Sequence, residues 1–216
     1  FHRKGLRKLF VSRKPQGKHP MKFIGGKEFG GNREVERYGI NWRGYWIDYD
    51  REKAKGLRNN FQNLKFFTEE KIFLCQHSLR IRATIDRESY ISKDIFLLGH
   101  LKEKADKLNV NLELILATLN SKLFSFLYAT MYAGTEIMGR YLHYLPMFLH
   151  DLPILIPSSE DIIQISNLVN AILSTTDNKN KQKIDNMIDD KIFQIYGCNK
   201  EEVEYITEYI GLNLKK

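Results

Sequence analysis

The sequence predicts an α+β fold: a β-rich body followed by a helical C-terminal portion. Three observations carry that expectation. Short apolar and aromatic runs, separated by glycines and turn residues, fill the first hundred positions. After Gly99 the apolar spacing changes to three and four, the period of a helix packed on one side. Charge divides the chain in a similar way. Residues 1–82 hold 20 Lys/Arg against 8 Asp/Glu, a net of +12, whereas residues 83–216 hold 14 against 18, a net of −4.

In order along the chain, residues 1–22 read as a basic arm or linker in which Pro15 and Pro20 discourage helix. Residues 23–157 form the β-rich body and 158–216 the helical tail. "FIGGKEFGGNREVERYGI" has neither GxxxxGK[ST] nor GxGxxG spacing, so its glycines are read as turn formers rather than a phosphate loop. "NWRGYWIDYD" fits a short strand or hairpin, and 51–65 a loop or one short helix. "KIFLCQ" reads as a buried strand, "LRIRATI" as a strand with one polar face and "YISKDIFLL" as another. Asp86-Arg87-Glu88-Ser89 would join the last two as a hairpin.

In "NLELILATLNSKLFSFLYATMYA", residues 111–133, Leu112, Ile115, Leu116, Leu119, Leu123 and Leu127 recur at helical spacing, with Asn109 or Asn111 as cap. "YLHYLPMFLHDLPILIP" is extended and interrupted by proline. Ser158 or Ser159 caps a helix through "EDIIQISNLVNAILST". Two more helices are expected at 180–196 and 200–210, stopped by Gly197 and Gly211.

Composition bounds the function. A formal net charge of +8, concentrated in one half, attracts a polyanion: nucleic acid first, an anionic membrane face or acidic protein second. Cys75 and Cys198 make no CxxC unit and fit a reducing cytoplasm, the expected location. No signal-peptide pattern is present. The chain opens on Phe1 rather than Met, as a fragment of a longer polypeptide would. No apolar stretch reaches membrane-spanning length without charge, since His150 and Asp151 interrupt 145–157.

The six histidines make no HxH, HExxH or His/Cys cluster, and no GxSxG elbow is present. A small magnesium-dependent nuclease using Glu70 and Lys71, beside Glu69, Asp48 and Asp50, is the enzymatic alternative. The nucleic-acid signal rests on Arg80 and Arg82, which share a face if they lie in one strand. They stand above a basic set: Arg13, Lys14, Lys18, Lys22 and Lys27. Arg37 and Arg43 interleave with Tyr38, Trp42, Tyr45 and Trp46. Those aromatics are read as core of the β body in preference to a stacking surface.

At these residues the sequence resembles the C-terminal target-recognition domain of adenine-specific DNA methyltransferases. The likeness is especially to single-chain type IIG restriction–modification enzymes, that is, to a TaqI-like specificity domain. The matching stretches are "FIGGKEFGGN", "YWIDYD", "FFTEEKIFLCQHSLRIRATID", "LILATLNSKLFSFLY" and "YLHYLPM", which together cover roughly residues 20–150.

The resemblance implies a reader of double-stranded DNA, with catalysis carried by an adenine methyltransferase domain or subunit and in some cases a nuclease. Neither the Asn-Pro-Pro-Tyr nor the Asp-Pro-Pro-Tyr marker of the catalytic domain is present. It therefore implies no catalytic residue and no cofactor in this segment, with S-adenosylmethionine and magnesium belonging to other domains. Gly25, Gly26 and Lys27 would shape a DNA-side loop. Gln76, Arg80 and Arg82 would face the duplex, and Asn120, Ser121 and Lys122 would be structural. A specificity subunit docking through 159–210 to separate methyltransferase and nuclease chains is the alternative. The sequence departs from the family pattern at Cys75, where an arginine is common, and near Ser89, where the hairpin glycine is missing.

Overall fold

The computed structural model describes residues 10–25, 34–57, 61–92, 96–102, 104–137 and 141–214. The first half supplies strands β1 (Val11–Ser12), β2 (Pro20–Ile24), β3 (Val35–Glu36), β4 (Gly39–Ile40) and β5 (Tyr45–Asp48). Short helices α1 (Arg51–Gly56) and α2 (Lys65–Thr68) follow, then β6 (Lys71–Cys75), β7 (His77–Ser78), β8 (Ala83–Asp86), β9 (Ile91–Ser92) and β10 (Phe96–Gly99). Next come α3 (Lys104–Lys107), α4 (Leu112–Asn120), α5 (Lys122–Met131), β11 (Glu136–Ile137), β12 (Tyr141–His143) and α6 (Pro146–His150). The tail is α7 (Ser159–Ser174), α8 (Asn178–Ile195) and α9 (Lys200–Asn213). Among the described residues, strands gather in the first part and helices in the C-terminal half, so the α+β expectation holds.

The strands form small sheets in the orders β1-β5-β2-β9, β10-β6-β8, β11-β12-β7 and β3-β4. Strand β6 is buried along its whole length, as "KIFLCQ" predicts, because it is the central strand of its sheet and pairs antiparallel with β8 and β10. The N-terminal sheet covers a separate apolar cluster that includes Phe10, Phe23, Ile47, Phe61 and Phe67. The larger core joins β6 and β8 to α4, α5 and all three tail helices through residues such as Leu74, Ile85, Leu116, Phe124, Ile165 and Ile192. Among the described residues no single helix is long and apolar enough to cross a membrane.

Several local expectations are corrected. The segment 51–65 is not one helix, because α1 ends at Gly56 and α2 starts at Lys65. In "LRIRATI" only Ala83–Asp86 is strand. "YISKDIFLL" is two strands in different sheets: β9 runs parallel to β2, whereas β10 pairs with β6. Asp86–Ser89 is therefore a sheet-to-sheet crossing rather than a hairpin.

The Asp86 carboxylate holds that crossing by accepting from the backbone N–H of Glu88 at 2.8 Å and of Tyr90 at 2.9 Å. Ser89 takes φ +60°, so the chain does use a left-handed residue where the family pattern has glycine.

The predicted helix over 111–133 is two helices meeting at 62°. Asn111 caps the first through Leu114 N–H, and Ser121 breaks the run by capping the second through Phe124 N–H. The stretch 141–157 contains β12 and α6 as well as extended chain. Ser158 caps α7, and Gly197 closes α8 at φ +68°, both as expected. Gly211 does not stop its helix, since α9 runs through it to Asn213.

Gly17 is pinned by close approach. Its φ is +89°, and an added Cβ would stand 2.1 Å from Asp48 Cγ. That carboxylate already accepts from Lys18 N–H and His19 N–H. Gly17→Ala is expected to destabilise the fold by about 1–3 kcal/mol, read as a lower thermal midpoint.

Candidate nucleic-acid interface

The sequence-predicted cations separate into committed and exposed groups. Lys22 extends from the outer face of β2, where Glu88 accepts its charge and the rings of Trp42 and Tyr90 lie 5.2 and 5.3 Å away. The hydrogen bond to Glu88 raises its pKa above the ordinary lysine value. Lys22, expected to face DNA, is thus also engaged within the body by Glu88 and two aromatic rings.

Arg37, also expected at the DNA face, has its partners inside the molecule. It sits in the turn between β3 and β4 and grips Asp185 of α8 through two 2.7 Å bonds, while Nη2 also donates to the Asn120 carbonyl at 2.7 Å. Burial disfavours its charge, but Asp185 outweighs that and holds its pKa above the usual arginine value. This fork–fork pair bolts the tail to the body.

Arg80 and Arg82 do not share a strand face, because residues 79–82 are irregular chain. Ile81 between them is fully buried, as expected. Arg82 Nη2 donates to Cys75 Sγ at 3.2 Å. Arg80 is half-buried, and its Nη2 reaches the Asn120 carbonyl at 3.4 Å. Burial, reinforced by the neighbouring Arg37, pushes the Arg80 pKa down to about 10. Gln76 is half-buried and its carbonyl accepts from Tyr144 N–H at 2.9 Å.

Arg43 is exposed, and Arg13 reaches its carbonyl at 2.6 Å while lying 3.8 Å over the Tyr45 ring. Lys14 and Lys18 are exposed nearby in sequence. Trp42 and Trp46 pack edge to face at 5.2 Å, and Trp42 bears on the small cluster around Phe73. Gly25 N–H donates to the buried Glu34 carboxylate at 3.0 Å, closing the two ends of the glycine loop. Gly26 and Lys27, expected in that loop, lie outside the described residues.

The nuclease alternative fails on geometry. Lys71 is fully buried against Asp86 at 2.5 Å, and Glu70 faces Arg87 at 2.9 Å on the surface. Among the described residues no three His, Cys, Asp or Glu groups converge as a metal cluster.

Sequence reasoning missed Asp185 and Asp189. Both lie on the buried face of α8 with Ile188 and Ile192. The signal was available: two acids four apart interrupt an apolar stripe, where only paired charges are tolerated.

The His77–His143 pair was also missed. These residues face each other across β7 and β12 with ring centroids 4.5 Å apart. Burial, then the neighbouring His143, lowers the His77 pKa below its ordinary value of 6.5. The unfolded chain therefore takes up the proton first. The stability that His77 contributes is complete above about pH 6.5 and is lost as pH falls from there through its lowered folded-state value. Melting from pH 7.5 to 5 is expected to show a smaller acid loss in His77→Gln than in the parent chain.

A family model described as the TaqI-like C-terminal specificity domain matches residues 27–154, more than half of the 216-residue chain. No curated protein matches. Among solved structures, the Type IIL restriction-modification enzyme MmeI in complex with DNA aligns at TM-score 0.56 and 13% identity over 88% of this chain. That likeness is one of fold, and the chain spans 31% of the MmeI chain. On the family match, this chain belongs to the TaqI-like C-terminal specificity domain family.

Proposed function

We propose that this chain is a non-catalytic, cytoplasmic module that recognises a specific sequence in double-stranded DNA for a restriction–modification enzyme. It would hold the duplex for adenine N6 methylation, cleavage or both by other domains, and those domains would bind S-adenosylmethionine and magnesium. The observation that carries this reading is the specificity-domain match over residues 27–154. Two others support it: the solved enzyme of like fold is in complex with DNA, and Arg13, Lys14, Lys18 and Arg43 present exposed positive charge on the N-terminal body. Phosphate contacts from such groups supply affinity, whereas base-edge contacts supply selection.

Fluorescence anisotropy against a randomised duplex pool, over a salt series, followed by sequencing of the bound fraction, tests this. An enriched asymmetric motif with affinity falling steeply in salt is the expected result. Salt-dependent binding without enrichment would replace sequence reading by generic clamping. No binding at low salt would sink the reading for this chain.

A further inference from the structure

The buried cluster between the body and α8 contains more positive than negative charge. Three cations, Arg37, Arg80 and Lys122, meet two carboxylates, Asp185 and Asp189. Each carboxylate already has an ion-pair partner, although among the described residues the buried Asp189 Oδ2 accepts no hydrogen bond. Arg37 holds Asp185 with a two-bond fork, and Lys122 holds Asp189 through its backbone N–H at 2.8 Å and its ammonium at 3.1 Å.

Arg80 is the remainder. Its one hydrogen bond among the described residues is the 3.4 Å contact to the Asn120 carbonyl, which Arg37 also uses at 2.7 Å. The Arg80 Nε is buried with no partner. The Tyr38 hydroxyl, buried in the field of both guanidiniums, also has no hydrogen-bond partner among the described residues. A half-buried guanidinium with no carboxylate at ion-pair distance among the described residues is costly to maintain, because the more distant Asp185 and Asp189 only partly offset desolvation and the repulsion of Arg37. Elsewhere in the cluster such charges are matched, so the mismatch is local to the Arg80 turn. That turn is itself held, since the Ser78 hydroxyl donates to the Arg80 carbonyl.

We propose that the Arg80 guanidinium is a preorganised receptor for a phosphate oxyanion, supplied by the backbone of bound duplex DNA. This rests on the DNA-recognition reading for the source of the phosphate, though not for the receptor itself. Arg37, Asp185 and the Asn120 carbonyl are the positioning groups. They fix the receptor's place and, by being engaged with each other, leave its charge only partly offset.

Arg80→Gln, Arg80→Lys and the parent chain test this by duplex titration over a salt series, with thermal melting alongside. One phosphate contact contributes about 0.9 to the slope of log affinity against log salt. Arg80→Gln should therefore lower that slope by about 0.9, and affinity by about eightfold at 0.1 M salt. Arg80→Lys should keep most of the slope. The melting temperature of Arg80→Gln should equal or exceed that of the parent, because an uncompensated cation has been removed. A purely structural arginine would give the opposite sign.

Unchanged salt slope in Arg80→Gln, or a lowered melting temperature, overturns the proposal. A second arm compares the melting temperature in inorganic phosphate with that in sodium chloride at equal ionic strength. Stabilisation specific to phosphate, absent in Arg80→Gln, is expected whether or not DNA binds. If the parent chain ignores duplex but keeps this response, the DNA reading fails and the receptor stands. If it binds duplex and Arg80→Gln binds with equal affinity and slope, the receptor fails and the DNA reading stands.

Discussion

Asp86→Ala is expected to lower the unfolding free energy by about 3–5 kcal/mol, the range for removing one partner of a fully buried ion pair. Neither Lys71 nor Asp86 has any exposed side-chain surface, and Nζ and Oδ2 are 2.5 Å apart. Burial depresses the Lys71 pKa while Asp86 opposes the shift, so removing the carboxylate strands an ammonium beneath the sheet. The carbonyls of Phe67 and Glu69 would remain to it, but they carry no charge.

The aspartate has a second task, because its oxygens also accept from Glu88 N–H and Tyr90 N–H at the crossing to β9. A paired apolar replacement, Lys71→Met with Asp86→Leu, is therefore expected to recover part of the loss and not all of it. Urea denaturation with an unchanged m-value is the measurement. A loss below about 1 kcal/mol would mean that water reaches Lys71 and the pair is not buried in solution.

The second large effect is expected at Asn120, the last residue of α4. Its side chain completes the start of β8 by accepting from Ala83 N–H and donating to Ala83 C=O, each at 2.9 Å. Asn120 is fully buried. In Asn120→Ala the Ala83 carbonyl keeps its other donor, the Tyr38 N–H at 3.0 Å. The Ala83 N–H keeps no acceptor among the described residues.

An orphaned buried donor and the cavity left behind together predict a loss of about 2–4 kcal/mol. Asn120→Leu fills the space without supplying the acceptor, so it should rescue little. Full rescue by leucine would show that volume, not hydrogen bonding, is what Asn120 contributes.

These two sites mark how far the sequence could be read. "KIFLCQ" was legible as a buried strand because five consecutive residues carry the pattern locally. The lysine at its head was read as a candidate catalytic group, and it is instead fully buried against Asp86. Its partner lies fifteen residues away on the neighbouring strand, and no spacing rule connects them. In "LRIRATI" the alternation suggested a strand with two arginines on one face. The backbone instead turns at Arg80, where the Ser78 hydroxyl donates to the Arg80 carbonyl in place of a ladder partner. The helix of 111–133 was read correctly by period. Its 62° bend was missed because Ser121 caps α5 from inside an unbroken apolar run.

The sequence by itself determined the β-then-α order, the buried central strand, the Gly197 boundary and the family to which the chain belongs, and it narrowed two helix caps to pairs from which the fold took Asn111 and Ser158. Each depends on residues close together in the chain, where period, capping and turn chemistry act. The tertiary structure alone decided which cations are engaged. Arg37 meets Asp185 across 148 positions, Lys22 meets Glu88 across 66, and Arg80 is left with neither carboxylate of α8. Charge pairing follows distance in space, and a buried charge is stable only where the fold brings its opposite.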